Sequence, residues 1–140
     1  MKAWEIVGDG GPSALSLSCR EEPRPGPGQV LLDVKASSLN YRDLATVEDP
    51  VPRNISFPMS PNSDCAGKVI AVGPGVTNIE IGDRLMGCFF QDWADGEISP
   101  AAMATALGGA IPGVLAERVV LNANGVVPVP DHLSYVEAAT

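Results

Sequence analysis

Between Pro61 and Leu85 the chain reads PNSDCAGKVIAVGPGVTNIEIGDRL, and no other stretch constrains the fold so tightly. Val69 to Val72 is an apolar, β-branched-rich run. It stops at Gly73-Pro74-Gly75, where proline presets φ and Gly75 can take a positive value. A second turn, Gly82-Asp83, leads into Leu85. The segment predicts strand, tight turn, strand. Asn62, Ser63 and Asp64 then fall where the first strand emerges from a proline-flanked loop, a place where a scaffold holds polar side chains over a cleft.

The remaining segments are read against that hairpin. Lys2 to Val7 and Leu15 to Arg20 predict a second hairpin around the Gly8 to Pro12 turn cluster. The prolines of EEPRPGPG, Glu21 to Gly28, exclude helix or central strand and make it a surface connection. Gln29 to Ser37 alternates. Val30, Leu32, Val34 and Ala36 share one face and Leu31, Asp33 and Lys35 the other, which predicts a half-buried strand. Asn40 suits the N-cap of a short helix with Asp43 at its third position. Ala45 to Pro58 reads as loop. Further strands are expected over Leu85 to Phe90, Val114 to Leu121 and Gly125 to Val129. A long excursion from Gln91 to Gly113 carries one helical turn within Ala101 to Leu107.

These pieces predict a mainly β fold, a partly open β-barrel with short helices and long irregular loops. Its 140 residues suit one domain, and 15 Gly with 13 Pro imply short strands and many turns. Ser134 and Glu137 form a capping box, so a helix is expected from about Tyr135 to the end at Thr140, barely more than one turn. The expected division is a domain over residues 1–133 and the start of a connecting helix over 134–140.

A net charge of −8 argues against a phosphate backbone as partner, so no nucleic acid is expected. No stretch has the length to span a bilayer, and Met1 to Gly10 lacks the layout of a signal peptide, so a cytoplasmic location is expected. Cys19, Cys65 and Cys88 are odd in number, far apart and without a C-x-x-C, which predicts three free thiols.

Asp64-Cys65-Ala66-Gly67, Val69, Val72-Gly73, Gly75-Val76 and Gly82-Asp83-Arg84, taken in order, resemble the signature of the medium-chain dehydrogenase/reductase superfamily, in its N-terminal GroES-like catalytic domain. The resemblance implies an NAD(P)H-dependent oxidoreductase. Where its zinc-binding members carry a cysteine and a histidine ligand, Asn40 and Ser63 stand here, and only Cys88 lies near the position of their four-cysteine lobe. No zinc is therefore expected. Asn40-Tyr41-Arg42-Asp43 is instead similar to the zinc-independent quinone oxidoreductase branch. That similarity implies Asn40, Tyr41 and Asp64 as catalytic-cleft residues and Asn40, Tyr41 and Arg42 as contacts of NADPH or NADH. Phe89, Phe90 and Trp93 either wall the cleft or cover a barrel end.

The implied reaction passes hydride to or from a quinone, enone or carbonyl substrate. The dinucleotide fingerprint is not formed, because Asn78 stands where its last glycine belongs and a turn rather than a helix follows Gly73. The expected partner is thus a Rossmann domain outside these residues, with no tight cofactor binding by this chain alone; homo-oligomer formation is left open. Two other readings stand beside this one. The same barrel occurs in co-chaperonins, which allows a non-enzymatic binding module, and a trans-acting enoyl reductase is a close variant.

Overall fold

The structure, a computed structural model, describes residues 1–140. Its strands are β1 (Lys2–Ile6), β2 (Leu15–Cys19), β3 (Gln29–Ser37), β4 (Cys65–Val72), β5 (Arg84–Gly87), β6 (Arg118–Asn122) and β7 (Val126–Pro128). Its α-helices are α1 (Tyr41–Glu48), α2 (Pro100–Met103) and α3 (Tyr135–Ala138). β1 and β2 pair antiparallel as a separate two-stranded sheet. The other five strands form one antiparallel sheet in the order β6-β3-β4-β5-β7, curled into a half-barrel. The fold is the expected mainly β, partly open barrel.

The alternation in β3 fills the barrel. Val30 and Leu32 are fully buried against Val69 of β4, Leu85 of β5 and Leu121 of β6, with Val114 and Ile79 packed into the same cluster. Each such side chain contributes about 2 kcal/mol by leaving water. Leu31, expected on the outward face, is also buried. It lies beneath the Glu21 to Pro25 connection, with which it borders a shared hollow. The pairing with β4 also shifts register between Leu31 and Leu32, so strict alternation fails there.

Three further expectations are corrected. Gly73-Pro74-Gly75 is a turn, with Gly75 at φ +83°, but no strand follows it before Arg84. Val69 N–H donates to Asp83 O and Gly82 N–H to Val69 O, both at 2.9 Å, so the chain curls back on itself and sends Ile79 into the core. The helix expected to give way to loop at Ala45 continues through Glu48. Thr46 Oγ1 donates to Arg42 O at 2.9 Å, and Val47 packs with Ile6, Ile55 and Met59. The prolines act only from Pro50 onward.

The third correction concerns Val114 to Glu117, read as part of a strand that in fact begins at Arg118. These residues tie the two sheets together. Trp4 N–H donates to Leu115 O at 2.9 Å and Glu117 N–H to Lys2 O at 3.0 Å.

At the C-terminal end the capping box forms as expected. Ser134 N–H donates to Glu137 Oε2 at 2.8 Å and Glu137 N–H to Ser134 Oγ at 3.3 Å. A helix this short owes its stability to packing. Ala138 and Ala139 are buried against Ala66 and Val129.

The cysteines differ sharply in surroundings: Cys19 is exposed, Cys88 half-buried and Cys65 buried in the core. Burial pushes the Cys65 thiol up to about 12 from an ordinary 9.0. In the native protein a thiol reagent is expected to modify Cys19 promptly and Cys65 only after unfolding. A raised thiol pKa favours the folded state less as pH climbs, because above pH 9.0 the unfolded chain releases a proton that the folded chain keeps. Stability should therefore fall between about pH 9 and 12, by up to roughly 1.4 kcal/mol per unit. Replacing Cys65 with alanine should flatten that slope in denaturant melts. An unchanged slope would show that this thiol does not control it.

Candidate active site

The site forms where β3 hands the chain to α1 and where the Pro61 to Asp64 loop enters β4. Backbone bonds fix the two segments side by side. Ser38 N–H donates to Asp64 O at 3.3 Å, and Ser37 Oγ donates to the same carbonyl at 2.8 Å. Asn62, 1% exposed and at φ +68°, locks the junction from beneath. Its Nδ2 donates to Ser37 Oγ at 3.1 Å and Ser38 O at 3.0 Å, and its carbonyl accepts from Val114 N–H at 3.0 Å. Asparagine tolerates a left-handed conformation better than most residues and here supplies two donors as well. The sequence reading named Asn62 only as a polar residue near a cleft. Its place between Pro61 and Ser63 gave no sign of this clamping role.

On that base the expected residues are placed differently. Asn40 and Asp64 come together, 24 positions apart in sequence, with Asn40 Nδ2 donating to Asp64 Oδ2. The same nitrogen donates to Ser38 Oγ at 3.3 Å. Both amide hydrogens are engaged, and the side-chain oxygen of Asn40, which faces the Asp43 N–H in the capping box, keeps a lone pair with which to accept from a ligand. In the reciprocal bond of the capping box, Asp43 Oδ2 accepts from Asn40 N–H at 2.8 Å. Tyr41 stands next to this pair, 87% exposed.

Arg42 points elsewhere. Its Nη1 donates to Leu107 O at 3.1 Å and Gly108 O at 3.3 Å, and its guanidinium carbon lies 4.7 Å from the centre of the Phe89 ring. Phe89 in turn packs edge-on against Phe90, and Phe90 against Trp93. The aromatic group thus braces the Ala106 to Gly109 turn behind α1. Burial holds Arg42 below its ordinary pKa and raises that of Asp43, since each loses hydration of its charged form.

No three His, Cys, Asp or Glu side chains converge anywhere in the chain. Ser63 is buried. The one histidine, His132, lies in the loop before α3, and no hydrogen-bonded pair links it to the site.

Residues 26–131 match the model of the alcohol dehydrogenase GroES-like domain. The chain belongs to that family. A zinc-type alcohol dehydrogenase-like protein of Schizosaccharomyces pombe is 40% identical over 114 residues, covering 81% of this chain and 33% of the relative. A candidate alcohol dehydrogenase structure from Sinorhizobium meliloti aligns with a TM-score of 0.88 at 37% identity, over 99% of this chain and 41% of that one. The quinone oxidoreductase of Coxiella burnetii aligns at 0.78 with 28% identity, over 99% and 40%. The GroES-like domain is thus that of the medium-chain dehydrogenase/reductase superfamily, and it spans about a third of the fission-yeast relative.

Proposed function

We propose that this domain forms the substrate side of an NAD(P)H-dependent, zinc-independent oxidoreductase acting on a quinone, an enone or another activated carbonyl, in concert with a Rossmann domain. The single observation carrying the reading is the Asn40–Asp64 pair, seated on the junction that Asn62 clamps. In this reading the Asn40 carbonyl oxygen accepts from the carboxamide of the cofactor. The Tyr41 hydroxyl donates to the substrate oxygen as negative charge develops there. Asp64 holds the Asn40 amide in its orientation and sets the polarity of the cleft. A bound nicotinamide supplies or receives the hydride. Arg42, proposed from the sequence as a cofactor contact, serves the same site by holding the Ala106 to Gly109 turn through its two carbonyl bonds.

Zinc does not fit this donor set. An engaged carboxamide, a buried hydroxyl and one carboxylate fall short of the three or four His, Cys or acidic ligands the ion needs. The name of the fission-yeast relative therefore does not carry over to Asn40 and Ser63. Elemental analysis of protein prepared without chelator is expected to find no zinc. One equivalent per chain would overturn the assignment.

The test of function joins this chain, at its C-terminal helix, to the Rossmann domain of a solved relative. Quinone-dependent oxidation of NADPH or NADH is expected. Tyr41→Phe should lower kcat about a hundredfold, the scale of losing one donor to a developing oxyanion, with a smaller change in KM. A folded, cofactor-binding hybrid that reduces no quinone, enone or carbonyl would refute the reading.

A further inference from the structure

Beside α1 lies an apolar pocket of 210 Å³ whose walls include Pro12, Leu15, Leu44, Val47 and Leu115. It opens between the short 3-10 turn Gly11–Ala14, the start of α1 and the Pro61-Asn62 corner. Asp43 completes the wall, and its side chain is the pocket's charged group. Asp43 is 4% exposed. Its Oδ2 accepts from Asn40 N–H, while Oδ1, also buried, has no partner. A buried carboxylate oxygen without a donor costs free energy that a bound donor recovers.

We propose that this pocket is a binding site for a small uncharged molecule made of one apolar ring or short branched chain and one hydroxyl, the hydroxyl donating to Asp43 Oδ1. Size, wall chemistry and donor count each contribute to that choice. An apolar cavity of about 150 Å³ accommodates benzene, so 210 Å³ takes a ring with one substituent. The apolar walls favour burial of a hydrocarbon body. A single open acceptor matches a single hydroxyl. An ammonium would surrender three hydration bonds for that one acceptor, and a carboxylate or ketone would set two acceptors against each other. Leu44, 46% exposed, stands in the wall as an entrance residue. Asn40 and Asn62 border both this pocket and the candidate active site, but the proposed hydroxyl bond is made to Asp43 and needs no nicotinamide, so binding here is read separately from hydride transfer.

Amide-resolved NMR titration of the 140-residue chain with benzyl alcohol and with acetophenone tests the proposal. Benzyl alcohol is expected to shift the amides of Leu15, Asn40, Leu44 and Leu115 saturably, and acetophenone to bind about tenfold more weakly for want of a donor. Asp43→Asn should erase that preference, because its carboxamide can keep the bond from Asn40 N–H and turn toward the ligand an N–H that an alcohol oxygen and a ketone oxygen both accept. Leu44→Trp, a change at a half-exposed position, should block both ligands while leaving distant amides unmoved. Absence of saturable shifts, equal affinity of the two ligands for the unaltered protein, or binding that survives Leu44→Trp would overturn the proposal. If Asp43→Asn does not fold, the ligand comparison and Leu44→Trp still decide it.

Discussion

Gly113→Ala is expected to destabilise the protein by about 3 kcal/mol or more, a large share of the 5–15 kcal/mol that holds a typical domain together. A methyl group placed on Gly113 would come within 2.1 Å of Asn62 O and 2.2 Å of Pro61 O. Both are backbone atoms and cannot swing aside. Gly113 N–H donates to Ser60 O at 2.7 Å, and the bonds from Val114 and Leu115 to Asn62 and Pro61 follow immediately. Pushing the two segments apart would therefore loosen three successive bonds and the Asn62 clamp with them. In a thermal melt the midpoint should drop by about 10 °C or more. Gly8→Ala is the matched control, since a methyl there meets nothing within 4 Å, and it should change stability by no more than about 0.5 kcal/mol. Equal melting points for the two variants would show that the Pro61 to Asp64 loop moves freely. The rigid base described for the site would then be wrong.

That result bears on how far the sequence could be read. The barrel was legible because β3 and β4 announce themselves locally, through the alternation of Gln29 to Ser37 and the β-branched run that halts at Gly73-Pro74. The α1 cap was legible for the same reason, since Asn40 and Asp43 lie three residues apart. The errors fell where distant partners decide. Whether a strand follows Gly75 directly depends on Gly82 and Asp83 bonding back to Val69, and where β6 begins depends on Leu115 to Glu117 being claimed by β1. Helix α1 continues past Ala45 because Val47 finds Ile6 and Met59.

At the site the types of residue were visible but their engagements were not. The resemblance named Asn40 and Asp64 separately. Only the fold shows them bonded to each other, and only the fold turns Arg42 toward Leu107 and Gly108. Asn62 was hidden most completely. Its importance rests on a positive φ and on partners at Ser37, Ser38 and Val114, none of which is its neighbour in sequence.

The same geometry sets the expectation for cofactor binding by these 140 residues. Calorimetric titration with NADPH or NADH should give an affinity weaker than micromolar, short of about −8 kcal/mol, whereas the chain joined to a Rossmann domain should bind well beyond that level. The turn that most nearly matches a dinucleotide fingerprint in sequence, Gly73-Pro74-Gly75, is not built to hold a pyrophosphate. Gly73 N–H donates to Gln29 O at 2.8 Å and Gly28 N–H to Pro74 O at 2.9 Å, while a methyl on Gly73 would sit 1.8 Å from Gly26 O. The turn is sealed against the Gly26 to Gln29 loop, and no helix follows to aim its N-terminal amides at a phosphate. Arg42 spends Nη1 on two carbonyls and stacks on Phe89, and the net charge of −8 repels an anionic ligand. What this chain offers a dinucleotide is a nicotinamide-sized patch at Asn40 and Tyr41, too small to offset the loss of freedom on binding. Micromolar or tighter binding by the 140 residues alone would mean that a phosphate site exists here outside the glycine turn, and the division of labour with a second domain would have to be abandoned.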